Sequence, residues 1–117
     1  MSTEPEAEVR SAPPLLVIDL RGPVTALTAD PIQQAYRAAC EQGARHLLLN
    51  FAQVDHVNSG GIAVLIQLLT EARRADQQLL ITGLSAHQRK IFQMMGLPEY
   101  APVFDTEEAA RRSVSDA

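Results

Sequence analysis

Apolar residues along this chain fall in short runs separated by turn-forming clusters, and the spacing inside each run predicts an element. Leu15-Leu16-Val17-Ile18-Asp19-Leu20 sits between Pro13-Pro14 and Arg21-Gly22-Pro23, which predicts a buried strand. A weaker strand around Ala7 to Arg10 would pair with it as a hairpin. His46 to Phe51 predicts a second strong strand, whose nearly continuous apolar character requires cover on both faces, as in a largely parallel sheet. Leu79 to Thr82 predicts a third, and Val103-Phe104 a last short one.

Between these runs the period changes to that of helices. Asp30-Pro31-Ile32-Gln33 supplies an N-cap, a proline at the first helical position and a capping-box glutamine, with Gly43 as the stop. Ile32, Ala35, Tyr36 and Ala39 share one face of that helix. After Asn58-Ser59, a stripe of Ile62, Leu65, Ile66 and Leu69, widened by Val64 and Leu68, predicts a deeply packed central helix. Thr70, Glu71, Arg73 and Arg74 mark its exit to solvent. Ser85-Ala86-His87-Gln88 is a second capping box, opening a helix expected to bury Ile91, Phe92 and Met95 and to stop at Gly96-Leu97-Pro98. Asp105-Thr106-Glu107-Glu108 opens a final helix with Ala109 and Ala110 inward, and Ser113 to Ala117 is expected to fray.

Alternating strands and helices predict one α/β domain: a mostly parallel, mixed sheet of four to five strands with about four helices. The expected division is a flexible or weakly structured segment, 1–14, containing the weak first strand, then the domain at 15–114 and a frayed tail at 115–117. A length of 117 residues suits a single compact core. Aromatics are only 4% against 46% hydrophobic residues, so that core is aliphatic.

Charge and cysteine content narrow the function. A formal net charge of -4 and an isolated Arg73-Arg74 pair offer no basic stripe for a phosphate backbone, which argues against direct nucleic-acid binding. Cys40 is the single cysteine, which excludes an internal disulfide, and it lies beside the apolar face of the first helix as a packing residue. His46, His56 and His87 have no metal-ligand spacing, so neither metal nor cofactor is expected. Glu4, Glu6 and Glu8 read as a solvated tail rather than a secretion signal. No stretch approaches the ~20 apolar residues of a membrane span, so a cytoplasmic protein without membrane insertion is expected.

The chemistry-bearing stretch is Val54-Asp55-His56-Val57-Asn58-Ser59-Gly60-Gly61-Ile62, where a strand exit meets a helix start. A helix N-terminus carries unpaired N–H groups and about half a positive charge, so Asn58 or Ser59 is either a plain cap or a seat for phosphate. Gly60 and Gly61 would each cost about 1 kcal/mol inside a helix relative to alanine. A cap does not require them, which suggests bare backbone kept for the approach of another molecule. Asp55, His56 and Ser59 imitate a nucleophile triad, but the nucleophile-elbow pattern needs glycine where Val57 stands, so His56 reads as a loop side chain and no catalytic residue is assigned. Met94 and Met95 read as core, with Met94 a soft contact surface if it points outward.

The Leu48-Leu49-Asn50-Phe51 strand, the Asn58-Ser59-Gly60-Gly61-Ile62 turn, the long apolar helix, Leu80-Ile81-Thr82-Gly83-Leu84-Ser85 and Phe92-Gln93-Met94-Met95-Gly96-Leu97 together resemble the STAS domain of bacterial anti-sigma factor antagonists, from Leu15 to Val114. The resemblance implies a non-enzymatic binding protein in which Ser59 is the phosphoacceptor of an anti-sigma factor serine kinase of the GHKL ATP-binding type. Unphosphorylated, it would bind the kinase and free a sigma factor, regulating transcription indirectly; a phosphatase would reset it. Asn58, Ser59, Gly60, Gly61, Thr25 and His56 are the implied partner-binding residues, with a homodimer or larger assembly also open. Two features depart from the family pattern: the aspartate common before the phosphoserine is Asn58, and Gly-Glu-Leu-Asp is replaced by Gly22-Pro23-Val24-Thr25. With the carboxylates at Asn58 and Thr25 gone, an unphosphorylated scaffold or regulatory subunit, stressosome-like or transporter-associated, is the alternative. A small-ligand-binding or hydrolytic protein rests on Ser59 alone.

Overall fold

The computed structural model describes residues 6–115. One five-stranded sheet carries the strands in their order along the chain: β1 (Ala7–Ala12), β2 (Leu15–Val24), β3 (His46–Val57), β4 (Gln78–Thr82) and β5 (Val103–Phe104). β1 runs antiparallel to β2, and every other neighbouring pair is parallel. Four helices complete the domain: α1 (Ala29–Glu41), α2 (Ser59–Arg74), α3 (Ala86–Met94) and α4 (Glu107–Ser115).

The sheet is covered on both faces, which is why β2, β3 and β4 read as unbroken apolar runs. Alternate side chains Ile18 and Leu20, Leu47, Leu49 and Phe51, and Leu79 and Ile81 face α1, α2 and α3. Leu15, Val17, Leu48 and Leu80 face the other way, against Ala110 and Val114 of α4. At the centre of the larger layer Phe51 and Phe92 meet edge-on, with centroids 5.6 Å apart.

Several expectations change. β2 and β3 extend past Leu20 and Phe51, because Gly22-Pro23 does not break the first and the polar run from Ala52 to His56 still pairs. α1 begins at Ala29, directly after a 3-10 turn at Ala26–Thr28, so Asp30 is not its cap; Gln33 donates instead to Gln67 of α2, at 3.0 Å. Ile66 and Met95, expected in the core, are 42% and 53% exposed. They line a surface groove of about 650 Å³ with Leu69, Leu97 and Tyr100, while α2 buries Ile62, Val64, Leu65, Leu68 and Ala72. Glu8 is not a solvated tail residue: it pairs with Arg21 across the hairpin at 3.1 Å. Fraying does not begin at Ser113, since α4 runs to Ser115 and Val114 is buried; Glu4 and residues 116–117 lie outside the described residues.

The capping box at Ser85 forms as expected: Ser85 Oγ accepts from the Gln88 amide at 3.1 Å and Gln88 Oε1 from the Ser85 amide at 3.0 Å. Gly96, at φ 73°, then turns the chain after α3 through the left-handed region that glycine favours.

Candidate functional site

The site lies where the ends of β2 and β3 meet the start of α2. Beyond Asn50, the β2–β3 ladder is irregular twice, between Asp19 and Arg21 and between Gly22 and Pro23, and each time β3 accommodates one extra residue. Pro23, with no N–H for a ladder, sits at the second irregularity, opposite His56. Val24 thereby arrives opposite Val57, and its carbonyl accepts the Asn58 amide at 3.3 Å.

Asn58 is the cap of α2. Its backbone is extended (φ −108°, ψ −177°) and its Oδ1 accepts the Gly61 amide at 2.9 Å. Ser59 is therefore the first helical residue instead of the cap. It is exposed, and its hydroxyl makes no hydrogen bond to another described residue. A nucleophilic oxygen is thus presented to solvent at the positive end of a 16-residue helix whose cap duty falls on its neighbour.

The two glycines are explained by the protein's own chain. A Cβ on Gly61, which is buried, would overlap the Val24 carbonyl. On Gly60 it would lie 3.0 Å from both the Cβ and the amide nitrogen of Ala26. Bare backbone is needed because α2 starts in contact with the end of β2 and the turn that follows it, which corrects the expectation that it awaits another molecule.

Thr25, half-buried, closes that 3-10 turn. Its Oγ1 accepts the Leu27 amide at 3.1 Å, while Thr28 Oγ1 accepts the Thr25 amide at 3.0 Å and donates to the Thr25 carbonyl at 3.1 Å. The turn holds Leu27 outward at 93% exposure. Hydrophobic patterning does not reveal Leu27, which stands alone among small and polar residues; the Thr-x-x-Thr capping spacing at Thr25 and Thr28 was the available signal.

His56 is exposed on β3, not in a loop. Asp55 precedes it on the same strand, so the two side chains project to opposite sides, and among the described residues no hydrogen bond joins Asp55, His56 and Ser59. A nucleophile–base–acid relay is not assembled. Neither the stretch from Pro23 to Thr28 nor that from Asp55 to Ala63 contains Lys or Arg, and Asp55 is the one carboxylate in them.

Titratable groups moved from their ordinary values lie elsewhere. The Arg10 guanidinium, bonded to both, holds the Glu107 and Asp19 carboxyls below the usual carboxylate range and is itself pushed up by them. Burial raises the Tyr36 hydroxyl, which donates to Gln77 at 2.6 Å. Gln77 in turn donates to Cys40 Sγ at 3.3 Å and to the Ala44 carbonyl at 3.1 Å, so Cys40 has a structural setting. Among the described residues no cluster of three His, Cys, Asp or Glu could hold a metal ion, and no helix is long and apolar enough to cross a membrane.

Comparison with known proteins adds four findings. The profile of the STAS domain matches residues 5–110. A candidate anti-sigma factor antagonist of Bordetella bronchiseptica, BtrV, is 25% identical over 103 residues, covering 88% of this chain and 89% of its own. Among solved structures, the unphosphorylated anti-sigma factor antagonist SpoIIAA superposes with a TM-score of 0.73 at 22% identity, over 95% of this chain and 99% of its own. An anti-sigma factor antagonist from Mycobacterium paratuberculosis gives 0.81 at 19% identity, over 94% and 93%. At these identities the structural likenesses speak for the fold.

Proposed function

Because this chain belongs to the STAS domain family, we propose that it is an anti-sigma factor antagonist whose Ser59 turn docks an ATP-dependent anti-sigma serine kinase and is switched off by phosphorylation of Ser59. The observation that carries the reading is the Ser59 hydroxyl itself: exposed, without a hydrogen-bond partner among the described residues and released from capping by Asn58. In the reaction, Ser59 Oγ attacks the γ-phosphorus of ATP held by the kinase. The new O–P bond forms as the bond to the leaving ADP breaks, and the hydroxyl proton passes to a base of the kinase, since the amide of Asn58 is no proton acceptor. A phosphatase restores the hydroxyl by hydrolysis. The protein performs no catalysis of its own, and its effect on transcription passes through the sigma factor released from the kinase, in the cytoplasm.

Phosphate adds about −1.5 to −2 charge. The N-terminus of α2 tolerates that charge within the domain, so the fold need not change. An interface that desolvates the dianion does not tolerate it, and a penalty of ~3 kcal/mol weakens binding more than 100-fold.

Incubation with the kinase and ATP followed by mass spectrometry tests the reading. One phosphate is expected on Ser59, none on Ser59→Ala, and much weaker kinase binding by Ser59→Asp. The neutral Asn58 cap favours one second reading, a docking module of the same face that is never phosphorylated. Unmodified Ser59 together with retained kinase binding would select it, and loss of both would remove the antagonist role.

A further inference from the structure

We infer that Leu27 is the apolar anchor of the kinase-docking face, and that the partner receives it in a neutral, apolar pocket rather than meeting this face with matched charges. The inference rests on the antagonist reading above and adds the chemistry of the partner's surface.

A single exposed leucine is ordinary on a protein surface, and three observations separate Leu27 from that background. It is 93% exposed, the most exposed of the large hydrophobic residues among the described residues. Its presentation is locked: Thr25 and Thr28 satisfy each other's backbone and hydroxyl groups reciprocally, and Thr28 is buried at 8% exposure, so the turn beneath Leu27 is anchored in the domain. Its position is tied to Ser59, because Gly60 and Gly61 let the start of α2 close onto Ala26 and Val24, the residues leading into Leu27. Alanine at either position would favour the helix but separate these two segments. The turn carrying the knob and the turn carrying the hydroxyl are thus built as one surface.

The charge around them decides the partner. From Pro23 to Thr28 and from Asp55 to Ala63 there is no cation and a single carboxylate, Asp55, while Pro23, Ala26 and Ala63 are exposed apolar groups. With one carboxylate and no cation, such a face offers a charged counter-surface little to grip, and complementarity favours an apolar pocket for Leu27 with a neutral surround. Phosphate on Ser59 then acts by placing a dianion in a contact that excludes water and to which neither stretch brings a cationic side chain. Its effect is desolvation, which salt does not screen, rather than long-range repulsion, which salt does.

Calorimetric titration of the anti-sigma serine kinases encoded in the same genome into wild type, Leu27→Ala, Met94→Ala and Ser59-phosphorylated protein, at ~50 and ~500 mM salt, tests this. Wild-type affinity is expected to change less than about threefold between the two salts. Leu27→Ala is expected to weaken binding about 10- to 100-fold, and Met94→Ala, at a side chain that is also apolar and exposed but lies on α3, to leave it within twofold. The loss on phosphorylation is expected to be the same at both salts. Unchanged binding by Leu27→Ala, a wild-type affinity that falls tenfold or more with salt, or a phosphate effect that salt abolishes would each overturn the inference while leaving the antagonist role standing. Absence of binding to every kinase overturns the antagonist role, and the inference falls with it. An unchanged melting temperature for Leu27→Ala shows that the measurement concerns docking and not folding.

Discussion

At the scale of single residues, the turn between β3 and α2 separates two duties that one serine often carries. Asn58 caps and Ser59 is left free. Replacing Asn58 with alanine should lower stability by about 1 kcal/mol, whereas Asn58→Asp should be at least as stable as wild type, because a carboxylate both caps and complements the helix dipole. Ser59→Ala should change stability by less than about 0.5 kcal/mol. Denaturant unfolding of the three variants checks the order. Gly61→Ala is expected to go the other way from a helix-propensity argument. The methyl would gain about 1 kcal/mol in propensity yet must displace the Val24 carbonyl, and a net loss of about 2 kcal/mol is expected. A stabilised Gly61→Ala would show that the contact with β2 is loose. The glycine pair was legible in the sequence, but its reason was not, since Val24 and Ala26 are more than thirty positions away.

At the scale of elements, α4 is held to the sheet by apolar contact and by one fork of charge. Arg10 on β1 bonds Asp19 on β2 at 2.8 Å and Glu107 at the start of α4 at 2.6 Å, and Asn50 of β3 donates to Asp19 at 2.8 Å. Both carboxyls are held low by Arg10, so their contribution to stability is complete above the unfolded carboxylate values, about pH 4, and is lost as pH falls through the lower folded ones. Wild type should therefore lose stability more steeply below about pH 4 than Arg10→Met, read from urea midpoints at successive pH values. At neutral pH the same substitution should cost only about 1 kcal/mol, because Arg10 is well exposed, with faster amide exchange at the start of α4. Parallel slopes for the two proteins would refute the link. The network joins residues 97 positions apart, and sequence periodicity carries no trace of it.

At the scale of the whole molecule, the sheet divides the core into a large layer under α1, α2 and α3 and a small one under α4. Among the described residues, Leu15, Val17, Leu48 and Leu80 of the small layer are covered by Ala110 and Val114 of α4, with Ala12 and Phe104 at the margin, so truncation after Asp105 should expose that face. The truncated protein is expected to bind a hydrophobic dye and to unfold with a smaller denaturant slope, since less surface remains to be exposed. A cooperative wild-type-like transition would show that the sheet does not need its second cover.

The amino-acid sequence by itself determined the order and type of the elements, the two-sided burial of the central strands, and the closures at Ser85-Gln88 and Gly96. These depend on side-chain period and on hydrogen bonds spanning three or four residues, which any short window contains. Tertiary structure alone decided that β2 and β3 continue through Pro23 and His56, that Ile66 and Met95 line a groove, and that the turn carrying Leu27 meets the start of α2. Each depends on which distant segment arrives to pair with or cover a residue. A register slip by one position, or a helix rotated by one residue, reverses inside and outside without altering a single local preference.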